Sequence, residues 1–348
     1  MKNLRASASQ LLSGKLPYFY AALAVAVLAF SALGFGAGDK AHIPASAVVA
    51  PAPQNAISGE WTADFKSDRP GEIQFNFYRR SAEGGFSMNG DMLRLSELQG
   101  LGVDVASAAK TEVNFKIVRE AGTFSCEGFF KQGRGAGFWT FEPSRSFVSA
   151  MAGRGYGNLT DEDLLRAGLH NLTTKYVDDL KAAGYDRLSW DELNRGVTHE
   201  VTPQFIRELK GVGYQGLTME ELIRARNHEI SAEYVKEVRA MGFDKQPLEA
   251  LIRLRNHEIT QEFVNQMRSV GFDNLSIEDL IRLKSHEVTP EFVNGLKAEG
   301  YAQISPEEAI RLKNHNVDAD FIRRAKAKGL TGLSLDQLIR LRNEDIVK

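Results

Sequence analysis

Cysteine is almost absent. Cys126 is the single one in 348 residues, which excludes an intrachain disulfide and any cysteine-built zinc site. A strong net charge is also missing. The 43 Lys and Arg against 45 Asp and Glu leave -2, so the chain lacks the strongly basic balance of a general nucleic-acid binder. No His-Glu-x-x-His occurs anywhere, so the commonest zinc-peptidase motif is absent. With 25% charged and 43% hydrophobic residues, the composition excludes wholesale disorder and a collagen-like scaffold. The length sets a prior of about two domains.

What is present is sharply partitioned. Residues 1–15 carry Lys2, Arg5 and Lys15 and no acid, and 16–37 carry no charge at all. Twenty-two uncharged residues are long enough, as a helix, to cross a hydrocarbon core of about 30 Å. The flanking charges place the N-terminus inside the cytoplasm and the bulk of the chain outside, in the periplasm. The rival reading is a cleaved signal peptide, with cleavage at Gly34, Gly36 or after Ala45-Ser46-Ala47 and secretion as its consequence. The apolar run is longer than the roughly 7–15 residues such a segment needs, which favours an uncleaved anchor. Residues 38–57 are rich in Ala and Pro without helical or strand period, a composition that makes a semi-extended tether.

Over 58–143 the period is two. Trp61, Ala63 and Phe65, then Ile73, Phe75 and Phe77, then Val113, Phe115 and Ile117 alternate with polar residues, the mark of half-buried strands. Two aromatic runs flank Gln132-Gly133-Arg134-Gly135. A phosphate-binding loop would have to open a helix. Strand-like sequence follows here, so a β-hairpin is the reading. Five or six antiparallel strands are expected, with a short helix near 95–108 and one face available for the C-terminal helices to cover. Cys126 has no adjacent His or Lys to activate it and reads as a buried inert thiol.

Residues 144–346 repeat every 29 positions, seven times. Gly155, Gly184, Gly213, Gly242, Gly271, Gly300 and Gly329 mark the period, and an arginine column (Arg166, Arg195, Arg224, Arg253, Arg282, Arg311, Arg340) keeps step with it. A fixed period of 20–50 residues means a solenoid or array. In 202–230, Thr202 caps a first helix with Pro203 at its first position, and Gly213 supplies the left-handed residue that ends it. Thr218 and Glu221 form a capping box for a second helix. In the fourth unit, 231–259, Pro247 replaces the capping Ser or Thr, which forfeits the cap hydrogen bond. The expected fold is therefore α+β: a short transmembrane helix (1–37 with its cytoplasmic tip), a linker, a small antiparallel β domain, and an α-solenoid of seven two-helix repeats.

Three columns invite functional readings. His170, His199, His228, His257, His286 and His315 share one repeat position. An imidazole ladder beside acids raises metal binding or a pH response. A role recurring in every unit is more simply architectural, an imidazole meeting free carbonyls at a helix C-terminus. Each arginine of the first column stands four residues after an acid, from Glu162 to Asp336, the favoured order for an intrahelical pair of about 0.2–0.5 kcal/mol. With 29 basic against 32 acidic residues over 144–348, a charge-paired outer face is expected rather than a polyanion stripe. A second basic row, Arg226, Arg255, Lys284, Lys313 and Arg342, lacks such a strict acid partner and is the candidate partner-binding ridge.

The layout also resembles the extracytoplasmic C-terminal region of bacterial membrane metallopeptidases of the antibiotic-sensor type. The resemblance is carried by Gly59-Glu60-Trp61-Thr62-Ala63, Arg79-Arg80, Leu95-Ser96-Glu97-Leu98-Gln99-Gly100-Leu101 and the run from Val118 to Gly128, followed by helical repeats. It covers about 58–346 and omits the peptidase half, so no catalytic residue carries over. It implies a sensor or interaction region outside the cytoplasmic membrane. The expected function is a membrane-anchored, non-catalytic interaction protein that presents its repeat surface to a protein or peptide. It binds no nucleic acid and needs no cofactor or metal. One alternative is a small-ligand sensor with an aromatic-lined cavity among Trp61, Phe75, Phe115, Phe129 or Trp139. A less favoured one is an envelope hydrolase, for which Asp64, Asp68, Glu72 and Glu127 are available without a motif.

Overall fold

The computed structural model describes residues 57–65, 69, 71–80, 85–102, 105, 107 and 109–347. All of them belong to one contact unit, 56–348. Residues 16–37, where a membrane helix is expected, and most of the linker lie outside the described residues. Among the described residues no helix is long and apolar enough to cross a membrane.

The alternating aromatic segments form seven antiparallel strands, more than the five or six expected: β1 (Ile57–Phe65), β2 (Glu72–Arg80), β3 (Phe86–Arg94), β4 (Leu98–Gln99), β5 (Thr111–Arg119), β6 (Gly122–Lys131) and β7 (Arg134–Pro143). The extra strands are β3, whose alternation is weak because most of its residues are exposed, and the two-residue β4. Of the helix expected near 95–108, the described residues show a 3-10 turn at Leu95–Glu97 and 3-10 backbone at Val105, while 103, 104, 106 and 108 lie outside the described residues. The sheet order is β3-β2-β1-β7-β6-β5-β4, so the sheet curls to pair its first strand with its last. Gln132 and Gly133, both at positive φ (51° and 79°), make the tight turn between β6 and β7.

The curled sheet is filled by aromatic rings together with aliphatic chains such as Ile73, Leu93, Leu98 and Ile117. Trp61 stacks on Phe75 with centroids 5.4 Å apart and meets Phe115 and Phe130 at 5.3 and 5.6 Å. Both buried indoles also need acceptors. Trp61 Nε1 donates to the carbonyls of Glu127 and Phe138, both at 3.1 Å, and Trp139 Nε1 to that of Glu60 at 2.9 Å. The indoles can lie this close to backbone because glycine stands beneath them. A Cβ on Gly59 would come within 2.6 Å of the Trp139 ring, and one on Gly128 within 2.9 Å of Trp61.

From Arg145 onward the chain makes fourteen helices, two per repeat: α1 (Arg145–Ala152), α2 (Asp161–Leu169), α3 (Thr174–Ala182), α4 (Trp190–Thr198), α5 (Pro203–Gly211), α6 (Met219–Asn227), α7 (Ala232–Ala240), α8 (Leu248–Asn256), α9 (Gln261–Ser269), α10 (Ile277–Ser285), α11 (Pro290–Ala298), α12 (Pro306–Asn314), α13 (Ala319–Ala327) and α14 (Leu335–Asn343). After α1 every helix has nine residues, too few to persist alone in water. Their apolar faces are buried on neighbours of the same kind: α4 on α6, α5 on α7, and so along the array. Leu222, Ile223, Leu251 and Ile252 are almost wholly buried, each worth about 1.5–3 kcal/mol.

The helix ends follow the expected chemistry. Thr202 accepts from Phe205 N–H, and Thr218 with Glu221 forms a reciprocal capping box. Pro247 makes no side-chain cap bond. All seven marker glycines adopt positive φ, between 83° for Gly329 and 101° for Gly242. The bonds from Gly213 N–H to Lys210 and from Tyr214 N–H to Leu209 complete the Schellman pattern there.

The second helix of each unit ends differently. The left-handed residue there is Asn171, Glu200, Glu229, Glu258, Glu287, Asn316 or Asp345, at φ between 51° and 55°. The same two-bond closure holds it, as in Glu229 N–H to Arg226 and Ile230 N–H to Ala225. Nothing in a glutamate announces positive φ, so the four glutamate turns were not legible in the sequence, whereas Asn171, Asn316 and Asp345 are of types that visit this region more readily.

The array grows directly out of the sheet. Ser144, the residue after β7, caps α1 and donates its own N–H to Ala121 O at 2.9 Å. Helix α2 lies on β6 and β7. Gly168 allows this, since a Cβ there would stand 3.0 Å from Phe141 and 3.3 Å from Phe124.

Replacing Gly242 by Val is expected to destabilise the array by about 1–3 kcal/mol, because a β-branched residue resists positive φ. Gly157→Ala, at a site with nothing within 4 Å and no positive φ, is the control and is expected to be neutral. Urea denaturation followed by far-ultraviolet circular dichroism reads both. Equal midpoints for Gly242→Val and the parent would refute the turn assignment.

Candidate functional site

Each repeated column makes one kind of bond, and most of those bonds cross from one unit to the next. The arginine column does pair with acids, but not with the acid four residues earlier in its own helix. Arg166 meets Asp191, Arg282 meets Glu307 and Arg311 meets Asp336, at 2.9, 2.5 and 2.6 Å. Arg195, Arg224 and Arg253 pair in the same way with Glu220, Glu249 and Glu278. The acid column is the expected one, displaced by one unit. Stacked second helices place the next unit's first-turn acid closer to the guanidinium than its own. These pairs are solvent-exposed, so each contributes at most about 1 kcal/mol.

The shift leaves the first acid without an arginine from the array. Glu162 instead takes Arg79 of β2 at 2.7 Å. The β domain thereby stands where a preceding repeat would stand. Glu120, just after β5, adds a second tie by accepting from both Thr174 N–H and its hydroxyl, each at 2.9 Å.

The histidine column sits at the C-cap of the second helix. Its bonds also run between units rather than to free carbonyls. Nδ1 of His199, His228, His286 and His315 lies 2.8–3.0 Å from Oδ1 of Asn227, Asn256, Asn314 and Asn343, so the imidazole donates. His257 meets Ser285 Oγ at 3.4 Å. His170 is the exception: its Nε2 faces Asn89 of β3 at 3.2 Å. Among the described residues no group of three or more His, Cys, Asp or Glu is placed to hold a metal.

Two further ladders were missed by sequence reasoning. Lys210, Arg268 and Lys297 reach back to the C-cap carbonyls of Ala183, Met241 and Val270 at 2.6, 2.7 and 2.5 Å, satisfying orphan acceptors of the preceding unit. Tyr156, Tyr185, Tyr214 and Tyr301 reach forward to the carbonyls of Leu188, Leu217, Gln246 and Leu333. The signal was a base in the last turn of the first helix and a tyrosine after four of the seven marker glycines, with Phe243, Phe272 and Leu330 after the others.

The second basic row is half-buried to exposed and makes the same contact in every unit that carries it. Each of its cations lies over an aromatic ring of its own unit: Arg226 over Phe205, Arg255 over Tyr234, Lys284 over Phe263, Lys313 over Phe292 and Arg342 over Phe321, at 4.9–5.4 Å from the centroid. Such contacts fix the direction of a long side chain and contribute about 0.5–1 kcal/mol when exposed. Arg226 and Arg255 do have acid partners, Glu200 and Glu229, at 2.9 and 2.6 Å. Lys284, Lys313 and Arg342 form no ion pair among the described residues.

The β domain offers less to a small ligand. Trp61, Phe75, Phe115 and Trp139 are buried against one another as core, and Phe129 faces outward with Lys110 over its ring. Burial pushes the Cys126 thiol well above its ordinary range, which makes it unreactive. A cleft of about 410 Å³ with a mixed polar and apolar lining, including Tyr301, Ile304, Glu308, Arg311, Leu335 and Asp336, lies between the last two units. It is occupied in part by the Arg311–Asp336 pair already described.

Comparison with known proteins finds no matching family model and no significantly similar curated protein.

Burial holds His170 below the ordinary imidazole range, with Arg166 and His199 adding to the effect. A lowered folded value means the neutral form is favoured in the fold. The stability it contributes is therefore complete above about pH 6.5, the unfolded value, and is lost as pH falls from there towards the folded value. The loss of stability between pH 7 and pH 5 is expected to be smaller in His170→Gln than in the parent, by urea denaturation at each pH. Identical pH dependence in both would refute the assignment.

Proposed function

We propose that this is a non-catalytic binding protein whose helical array presents an extended surface to a protein or peptide partner. The observation that supports this reading most is the row of cations held over aromatic rings. It repeats at 29-residue intervals on half-buried to exposed positions, and its last three members, Lys284, Lys313 and Arg342, form no ion pair among the described residues. Cations with fixed directions and spare charge are what a surface needs to recognise acidic or carbonyl-rich groups of a partner at low entropic cost. The other repeated polar columns are largely occupied in joining one unit to the next.

In this reading residues 16–37 anchor the chain in the cytoplasmic membrane and 38–57 hold the folded part off its outer surface. The β domain is a structural cap for the first repeat, through Arg79 and Glu120. The resemblance to the extracytoplasmic part of antibiotic-sensor-type metallopeptidases is consistent with that placement.

The test is affinity capture from cell-envelope extracts with the parent protein and with a Lys284→Gln, Lys313→Gln, Arg342→Gln triple variant. Partners retained by the parent are expected to fall at least tenfold with the triple variant and to persist with Arg166→Gln, which alters a joining pair only. An unchanged set of retained proteins with the triple variant would overturn the ridge as the binding surface.

A further inference from the structure

The outer face of the β sheet carries a second, separate surface. The array covers its interior side at α2, but the opposite side is open. Among the described residues five large hydrophobic side chains are exposed, Phe86, Met88, Val118, Phe138 and Ile346; four belong to this domain, and Phe138 is the most exposed of them, at 62%. The strand register shows what surrounds it. Phe138 on β7 stands directly opposite Glu60 of β1 on one side and Glu127 of β6 on the other. Glu60 in turn faces Tyr78 of β2, and Tyr78 faces Met88 of β3. One row across five strands therefore reads Met88, Tyr78, Glu60, Phe138, Glu127. Phe86 extends its apolar end, with its ring 5.9 Å from that of Tyr78.

Side chains directly opposite in an antiparallel sheet have Cβ atoms about 4.5–5.5 Å apart. Two carboxylates thus flank one open aromatic face within reach of a single guest. Neither Glu60 nor Glu127 has an ion-pair partner among the described residues. The nearest bases on the same face, Arg80 and Lys116, lie on the adjacent row and form no ion pair with them.

The backbone under this row is pinned from inside. The carbonyls of Glu60, Phe138 and Glu127 are the three that the buried indoles of Trp139 and Trp61 hold. The positions of the aromatic ring and its two acids are therefore set by the core and do not have to be ordered on binding.

We infer that this row is a docking site for a basic segment of a protein partner, with a lysine or arginine side chain seated on the Phe138 ring between Glu60 and Glu127. A cation over an aromatic face flanked by two carboxylates is favoured by both the ring quadrupole and the charges. Tyr78, Met88 and Phe86 would take the apolar residues next to it. This site does not depend on the ridge of the array and is of opposite charge preference.

The experiment uses the full chain in mild detergent and a fluorescently labelled peptide of alternating lysine and serine, with the glutamate–serine peptide as control. Anisotropy is expected to show saturable, salt-sensitive binding of the basic peptide alone. Phe138→Leu, which keeps an apolar side chain but removes the ring, is expected to weaken it at least fivefold. The Glu60→Gln, Glu127→Gln double variant is expected to weaken it at least tenfold. Glu262→Gln, an acid on the array, is expected to leave it unchanged. All substituted positions are exposed, and circular dichroism verifies that each variant folds. Absence of saturable binding, equal binding by all variants, or parent-like binding by Phe138→Leu would each overturn the proposal.

Discussion

A nine-residue helix cannot bury its own apolar stripe or satisfy its own terminal carbonyls, and this constraint organises everything after residue 144. Helix length, turn chemistry and polar columns are all answers to it. Apolar faces close against the neighbouring unit. Basic residues reach back to the open carbonyls of the unit before. Tyrosines reach forward to the loop of the unit after, and arginine, histidine and asparagine stitch the second helices together. No single bond in these ladders is strong, and each exposed ion pair is worth little. Their number makes the stack stable, as expected where repeat stability is a sum of intrinsic and nearest-neighbour terms.

The β domain solves a related problem by other means. An array of this kind needs a first neighbour with a matching face. Here the sheet supplies Arg79 for Glu162, Glu120 for the start of α3, Asn89 for His170, and a glycine-relieved contact under α2. Its own core is built on two tryptophans lying almost on the backbone, with glycine residues vacating the space. The same indole bonds fix the outer row around Phe138. Interior packing and exterior surface are thus set by one arrangement of rings.

Much of this was legible in the sequence. The 29-residue period, both helices of each unit, the capping threonines and serines, the exception at Pro247 and the glycine turns follow from local chemistry, which repeats and therefore averages out its own noise. The curled sheet was legible where alternation was strong, as in β5, and not in β3, where an edge strand exposes most residues and loses its pattern. The arginine partners were misassigned by one unit because i, i+4 spacing is visible in one helix, whereas i+25 requires the stacking geometry. The left-handed glutamates were invisible for a different reason. Their conformation is imposed by the closing bonds from the following residues, not by any preference of glutamate itself.

The direction of the arginine–acid ladder has a consequence for how such a chain changes in length. Every unit gives a guanidinium forward and a carboxylate backward, so each boundary is made of the same two halves. Removing one whole unit from the interior would bring together a guanidinium and a carboxylate that fit as well as those lost. Removing a fraction of a unit would leave both sides of the join mismatched. For this ladder, steps of 29 residues preserve the joining pair and any other step breaks it, so the reach of the array is a quantity that recombination can adjust without redesigning the arginine–acid contact.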